Sequence, residues 1–149
     1  MIFKFINKIY YFKVVIYFLK SNRKFMPHII IETSKNILAK EALKIGKEIQ
    51  QIMAKIVEGK FDPDQCKIRV ITYENYQVGL EENDENFIHI SIKILAGRAV
   101  EVRQKLASQS FEFSNNFYKN LKLPQKRCDI SVDIIEMDRE TYQKITIKE

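Results

Sequence analysis

Pro27 directly follows Met26 and precedes a run of isoleucines. As an internal residue it has an amide nitrogen, which is neither basic nor nucleophilic. If translation began at Met26 and that methionine were removed, Pro27 would carry a free secondary amine. The reference pKa of an α-amino group is about 8, and burial or nearby cations lower it toward neutrality. Such an amine can act as a general base, although proline also simply begins many strands.

Three basic residues could bind carboxylates. Arg98 follows Gly97 and lies in the predicted first turn of a helix, where a cation opposes the positive end of the helix dipole. A bound carboxylate would favour this arginine together with the free helix amides. Lys67 and Arg69 are two residues apart on a predicted strand, so they share one face. The residues alone leave open whether each cation binds a substrate or is a solvated surface group.

Other residues that commonly do chemistry are few. The sequence has two histidines, His28 and His89, and two cysteines, Cys66 and Cys128, which are far apart and form no CxxC motif. A zinc site or a disulfide framework would need more of them. With two histidines, the sequence also offers few candidates for a catalytic triad that depends on histidine. We therefore expect no metal site, and two half-buried thiols in a reducing cytoplasm.

The basic charge is confined to the amino-terminal end. The formal net charge is +6, and residues 1–26 hold six basic residues and no acid, so the rest of the chain has 19 residues of each sign. A nucleic-acid-binding surface needs excess positive charge on the folded body, so nucleic-acid binding is not expected. The extension 1–26 lacks an uninterrupted run of about 20 apolar residues and a small-residue cleavage site. We expect a start codon placed too early; a membrane or targeting segment is the alternative.

The strands and helices that must position these residues are predicted to form two β-α-β units. A helix is predicted from the natural N-caps Ser34 and Asn36 to near Gly59, and a second helix is closed by Pro124. Short apolar or alternating runs predict strands at 28–33, 66–73, 87–94 and 128–137. The expected class is α+β: duplicated β-α-β units forming a four-stranded mixed sheet with two helices on one face. Association of subunits would cover the other face.

Two blocks of the chain, MPHIIIETS at 26–34 and FIHISIKILAGRAVEVRQ at 87–104, resemble the tautomerase superfamily, in particular its 5-carboxymethyl-2-hydroxymuconate isomerase branch. In that family the chain begins Met-Pro-His, followed by apolar residues and Glu. A later strand with His and Lys runs into Gly-Arg, Glu and Arg-Gln. The resemblance covers 27–149 in length and element order and makes this range a tautomerase-like domain. The extension 1–26 is foreign to the family, which favours translation from Met26.

The resemblance implies a keto-enol isomerase that needs no cofactor. Its substrate would be an unsaturated 2-hydroxy or 2-oxo dicarboxylic or tricarboxylic acid, such as 5-carboxymethyl-2-hydroxymuconate. Pro27 would be the catalytic base, and Arg98 with Lys67 or Arg69 would bind the substrate. Lys67 aligns with an arginine of the family, which is a departure because lysine cannot make a planar two-bond contact.

The resemblance also implies a cytoplasmic homotrimer active in aromatic catabolism. Six further residues match the family and are interpreted as structural: His28, Glu32, His89, Glu101, Arg103 and Gln104. Two alternatives remain open. One is a non-enzymatic trimeric binding module of the same fold, and the other is a peripheral membrane protein that uses residues 1–26.

Overall fold

The computed structural model describes residues 26–57, 61–80, 85–123 and 127–147. The elements in chain order are β1 (His28–Ser34), α1 (Ala39–Ile56), β2 (Lys67–Tyr73), β3 (Asn86–Leu95), α2 (Val100–Asn120) and β4 (Cys128–Met137). A short 3₁₀ turn, Pro63–Gln65, precedes β2. The predictions for the extension before Met26, for Gly59 and for Pro124 fall outside the described residues. Within them, each predicted strand and helix is present.

The four strands form one mixed sheet in the order β2-β1-β3-β4. β1 pairs in parallel with β2, and β3 pairs in parallel with β4. The two parallel pairs join through the antiparallel pairing of β1 with β3. Each parallel pair is connected through a helix, as a parallel connection requires. The predicted class, duplicated β-α-β units in a four-stranded mixed sheet, is therefore confirmed.

The helices cover one face of the sheet, where the alternating strand residues form the core. α1 packs on β1, β2 and α2, while α2 packs on β4. Within the described ranges, no helix has both the length and the apolar character needed to cross a membrane. Gly46 lies in the middle of α1, where a Cβ would come within 2.4 Å of Ile68 Cγ2. Glycine destabilises the middle of a helix, but a larger residue would not fit here because α1 lies so close to β2. The fully buried core side chains include Ile29, Ile31, Ile45, Ile49, Ile88, Ile90 and Ile92.

Among the described residues, no helix covers the opposite face of the sheet, which has a polar character. On β1, His28, Ile30 and Glu32 are half-buried, whereas the intervening isoleucines are fully buried. On β2, Lys67 and Arg69 are exposed. The described residues thus bury β1 completely on one face only, and the expectation that a second subunit covers the other face stays a prediction.

The predicted N-caps of the first helix are wrong. Ser34 is the last residue of β1, and α1 begins at Ala39 with no side-chain cap at Leu38. The Ser34 hydroxyl and the Asn36 amide instead donate to Asn86 Oδ1, at 2.9 and 3.1 Å. A buried acceptor on a neighbouring strand outcompetes the local helix amides, because an unsatisfied buried polar group is costly.

Asn86 therefore links three parts of the fold. It is 2% exposed, accepts the two hydrogen bonds from the end of β1, and donates to the Tyr118 hydroxyl of α2 at 2.9 Å. Asn86→Ala is expected to lower the free energy of unfolding by about 1–3 kcal/mol, because it leaves buried polar groups without partners. Urea unfolding followed by circular dichroism measures this change.

Asn120→Ala is the matched control for this experiment. Asn120 is an exposed asparagine whose amide donates only to the Asn116 carbonyl oxygen one turn earlier. Its removal should change the stability by no more than about 0.5 kcal/mol. If the two variants lose the same stability, Asn86 is not the link described above.

Candidate active site

Pro27 lies immediately before β1 and is buried. Its carbonyl oxygen accepts a hydrogen bond from the backbone N–H of Lys67, at 3.1 Å. In the chain described here Met26 is joined to Pro27, so the Pro27 nitrogen is an amide and carries no basic lone pair. The start of β1 is thereby fixed beside the start of β2, and the role of Pro27 as a base stays a prediction.

Several cations surround this end of the sheet. His28 pairs with Lys67 on β2 and with Lys93 on β3. Residues directly opposite one another in a sheet project from the same face, so both lysines stand beside His28 on the open face. Arg69 lies two residues further along β2, and its Nη1 is 3.2 Å from His28 Nδ1. The predicted common face of Lys67 and Arg69 is present, and it lies next to Pro27.

His28 is held on both sides of its ring. Besides the Arg69 contact, its Nε2 lies 3.1 Å from the hydroxyl of Tyr142, and the two rings meet edge to face at 6.1 Å. Burial lowers the pKa of His28 below its ordinary value, and the charges of Arg69, Lys67, Lys93 and Lys144 lower it further. His28 is consequently neutral at neutral pH.

Arg98 lies in the loop between β3 and α2. Because β1 and β3 are antiparallel with His28 opposite Lys93, this loop is at the same end of the sheet as Pro27. The expectation that Arg98 lies in the first helical turn is wrong. α2 begins at Val100, and its Ala99 N-cap has a non-helical ψ of 145° and no side-chain cap. The arginine therefore precedes the open amino terminus of the helix.

Glu136 of β4 ties this loop to the sheet. One carboxylate oxygen accepts from the Gly97 N–H at 3.0 Å, and the other pairs with Arg103 Nη1 at 3.1 Å. Gly97 has φ +96°, a conformation that a residue with a side chain rarely adopts. The loop that carries Arg98 is thus fixed from both sides.

Arg139 is a second arginine at this loop, and the sequence did not reveal it. Its Nε donates to the Ala96 carbonyl oxygen, and it lies 3.7 Å from the point where a Cβ on Gly97 would stand. Burial lowers the pKa of Arg98, and the charge of Arg139 adds to the effect. Two like charges held together in this way create a potential that favours an anion. Arg139 and Tyr142 follow the last strand in a polar segment without periodicity, so no signal marked them.

A cavity of about 580 Å³ opens at the other end of the same sheet face. It is lined by Glu32, Tyr73, Tyr76, Phe87, His89 and Asp129, among others. Glu32 is four residues from His28, or about 13 Å along the strand. None of the four predicted site residues lines this cavity. We place the candidate site at Pro27 instead, because Lys67 and Arg69 lie next to it and the loop with Arg98 is at the same end of the sheet.

The contacts and burial of the remaining candidate residues favour structural roles. His89 lies between two serine hydroxyls, with Nδ1 2.8 Å from Ser131 and Nε2 3.2 Å from Ser91. Cys66 and Cys128 are free and half-buried, and burial raises the pKa of each thiol to about 11. They are therefore protonated at neutral pH and poor nucleophiles. Across the described ranges, no group of three or more His, Cys, Asp or Glu residues could hold a metal ion.

The architecture is that of tautomerase-fold proteins. A crystal structure of a 5-carboxymethyl-2-hydroxymuconate isomerase from Deinococcus radiodurans R1 superposes with a TM-score of 0.73 at 18% identity, covering 83% of this chain and 92% of that one. A fused 4-OT wild-type protein, described as a symmetric trimer, superposes with a TM-score of 0.57 at 13% identity, covering 76% of this chain and 88% of that one.

The sequence comparison defines the family. Residues 27–149 match the model of the 5-carboxymethyl-2-hydroxymuconate isomerase family, so the chain belongs to that family. The 5-carboxymethyl-2-hydroxymuconate Delta-isomerase of Escherichia coli is 28% identical over 113 residues, which are 75% of this chain and 87% of that protein. The resemblance seen in the sequence is confirmed, and the chain is an isomerase of the tautomerase fold.

Proposed function

We propose that this isomerase interconverts the enol and keto forms of an unsaturated 2-hydroxy or 2-oxo dicarboxylic or tricarboxylic acid, without a cofactor. A substrate such as 5-carboxymethyl-2-hydroxymuconate fits the proposal, because a relative in the same family bears that name. Aromatic catabolism in the cytoplasm is the corresponding setting. The observation that carries the proposal is the group of cations at the end of the sheet where buried Pro27 immediately precedes β1.

Pro27 acts as the general base once its nitrogen is the free amino terminus. It accepts a proton from the 2-hydroxyl or an allylic carbon of the dienol acid. It then returns a proton to another carbon of the conjugated system. The double bonds shift between these two events, and no atom is gained or lost. The proline ring fixes φ and so limits the orientations of the nitrogen.

The neighbouring cations serve two purposes in this mechanism. Lys67, Arg69 and Lys93 disfavour the protonated amine, which keeps the base neutral near the working pH. Arg98 and either Lys67 or Arg69 bind substrate carboxylates at the two sides of Pro27. Their charges also stabilise the negative charge that develops on the 2-oxygen.

The proposal extends to the working form of the protein. Residues 27–149 are the functional domain, and the chain that acts begins at Pro27 after removal of Met26. A homotrimer covers the open sheet face; one protein of the same fold is described as a symmetric trimer. Half-buried His28, Ile30 and Glu32 on that face support a cover supplied by another subunit.

The test compares three forms of the protein: one beginning at Pro27, one with a single alanine left before Pro27, and the full chain from Met1. We expect the first to remove the absorbance of 5-carboxymethyl-2-hydroxymuconate. The other two should be slower by at least about 100-fold, the lower range of a general base's contribution. Mass spectrometry of protein from its own cell should find Pro27 at the amino terminus.

Full activity of the chain from Met1 would show that Pro27 is not the catalytic base. Absence of activity from all three forms, on this and other keto-enol acids, would favour a non-enzymatic binding module. Circular dichroism and the sedimentation coefficient of each form provide the control for folding and assembly.

A further inference from the structure

The two ring nitrogens of His28 contact different elements of the fold. Nδ1 lies 3.2 Å from Arg69 Nη1 on β2, and Nε2 lies 3.1 Å from the hydroxyl of Tyr142 in the segment after β4. We infer that His28 is a positioning residue: as a neutral imidazole protonated on Nε2, it holds the Arg69 guanidinium at the carboxylate-binding end of the sheet. The binding of substrate by Arg69 rests on the proposed function, whereas the protonation state of His28 does not.

The hydrogen-bonding partners determine the tautomer. An arginine guanidinium carries donors only, so His28 Nδ1 must accept and cannot hold a proton. A neutral imidazole with a bare Nδ1 has its proton on Nε2. That N–H donates to the Tyr142 oxygen, since a hydroxyl can both donate and accept. The arrangement therefore admits one neutral tautomer, and the doubly protonated ring would lose its contact with Arg69.

The charges around His28 are predominantly positive. Besides Arg69, they are Lys67 on β2, Lys93 on β3 and Lys144 in the carboxy-terminal segment, and together with burial they lower the pKa of His28. Glu32, four residues along β1, faces the same side. Its carboxylate accepts from the Tyr73 hydroxyl at 2.5 Å. These surroundings stabilise the neutral ring that the Arg69 contact requires.

This geometry distinguishes the two candidate cations of β2. Arg69 uses one Nη1 donor for His28, which leaves the Nε and Nη2 edge of the same rigid fork to bind a carboxylate. Lys67 carries a single charge on a flexible stem and cannot form such a planar contact. Arg69, oriented through His28 and Tyr142, is therefore the second carboxylate-binding residue. Lys67 is the residue that aligns with the family's arginine, but it cannot make a two-bond contact with a carboxylate. Arg69 can make this contact instead.

The tautomer is tested directly by ¹⁵N NMR of the imidazole rings in protein beginning at Pro27. The chain has two histidines, so His89→Gln assigns the signals of His28. At neutral pH we expect an unprotonated Nδ1 and a protonated Nε2, with a titration midpoint below 6.5. Arg69→Gln should move that midpoint upward. A proton on Nδ1, or a midpoint at or above 6.5, would overturn the inference.

The positioning role is tested by a double-mutant cycle on kcat/KM. His28→Ala is expected to raise KM about tenfold with a smaller effect on kcat, because one hydrogen bond to a charged group is lost. If His28 acts through Arg69, the His28→Ala/Arg69→Ala protein should be no slower than Arg69→Ala alone. Additive losses would contradict a role through Arg69.

His28→Gln is the conservative variant. Its amide oxygen can still accept from Arg69, so it should restore part of the lost affinity. The same effect of His28→Gln and His28→Ala on KM, with equal thermal unfolding, would also contradict the positioning role. The NMR result decides the state of His28 even if no isomerase activity is found, so its failure is separable from failure of the proposed function.

Discussion

Pro27→Ala, in protein that begins at this residue, is expected to lower kcat by about 100-fold or more. Alanine keeps an α-amino group but lacks the ring that fixes φ. Its primary amine rotates freely and is less basic than the secondary amine of proline. The base is then both less well oriented and less effective. Steady-state kinetics on the dienol acid, followed by the loss of its absorbance, measure kcat and KM separately.

The pH profile provides a second measure of the same base. The neutral amine is the active form, so kcat/KM should fall as the pH decreases through the pKa of Pro27 in the free enzyme. In the proposed mechanism, the nearby cations lower that pKa from its ordinary value. Lys67→Met removes one of them and should move the acid limb to higher pH. An unchanged limb would contradict the amine as the base, whereas a Pro27→Ala protein with the original kcat would show that the proline ring is not required.

The parts of the fold that sequence could predict rest on local periodicity. Ile88, Ile90, Ile92 and Ile94 alternate along β3 and are all buried, as period-two patterning requires. The same rule placed Lys67 and Arg69 on one face before any partner strand was known. Strand pairing then followed, because two β-α-β connections leave few arrangements of a four-stranded sheet.

The parts that sequence could not predict depend on contacts between distant residues. Ser34 and Asn36 are of residue types that commonly cap helices, yet both donate hydrogen bonds to Asn86, some fifty positions away. Tyr142 reaches His28 across a separation of 114 residues, and Arg139 reaches Ala96 across 43. No spacing rule connects such residues, because the folded sheet alone brings the end of β4 beside the end of β3.

Arg98→Ala is expected to lower kcat/KM by about 100- to 1,000-fold. A carboxylate bound by a guanidinium makes two charge-assisted hydrogen bonds, each contributing about 1.5–3 kcal/mol. Arg98 is half-buried, so the lost interaction is not replaced fully by water. The open amino terminus of α2 would still attract the carboxylate, which limits the loss to the lower part of the roughly 3–6 kcal/mol that two such bonds contribute. Kinetics with the dienol acid measure the effect, and equal unfolding transitions exclude a loss of structure.

Arg139→Ala is the matched control, because it removes the neighbouring arginine from the same loop. Arg139 is exposed, and water screens its charge, so its removal should raise KM by only about threefold to tenfold. Arg98→Lys separates charge from geometry: it keeps the cation but loses the planar fork, and should recover only part of the rate. Equal losses from Arg98→Ala and Arg139→Ala would mean that the loop provides a diffuse positive field. In that case Arg98 would bind no carboxylate directly, and the substrate would be held from the Arg69 side alone.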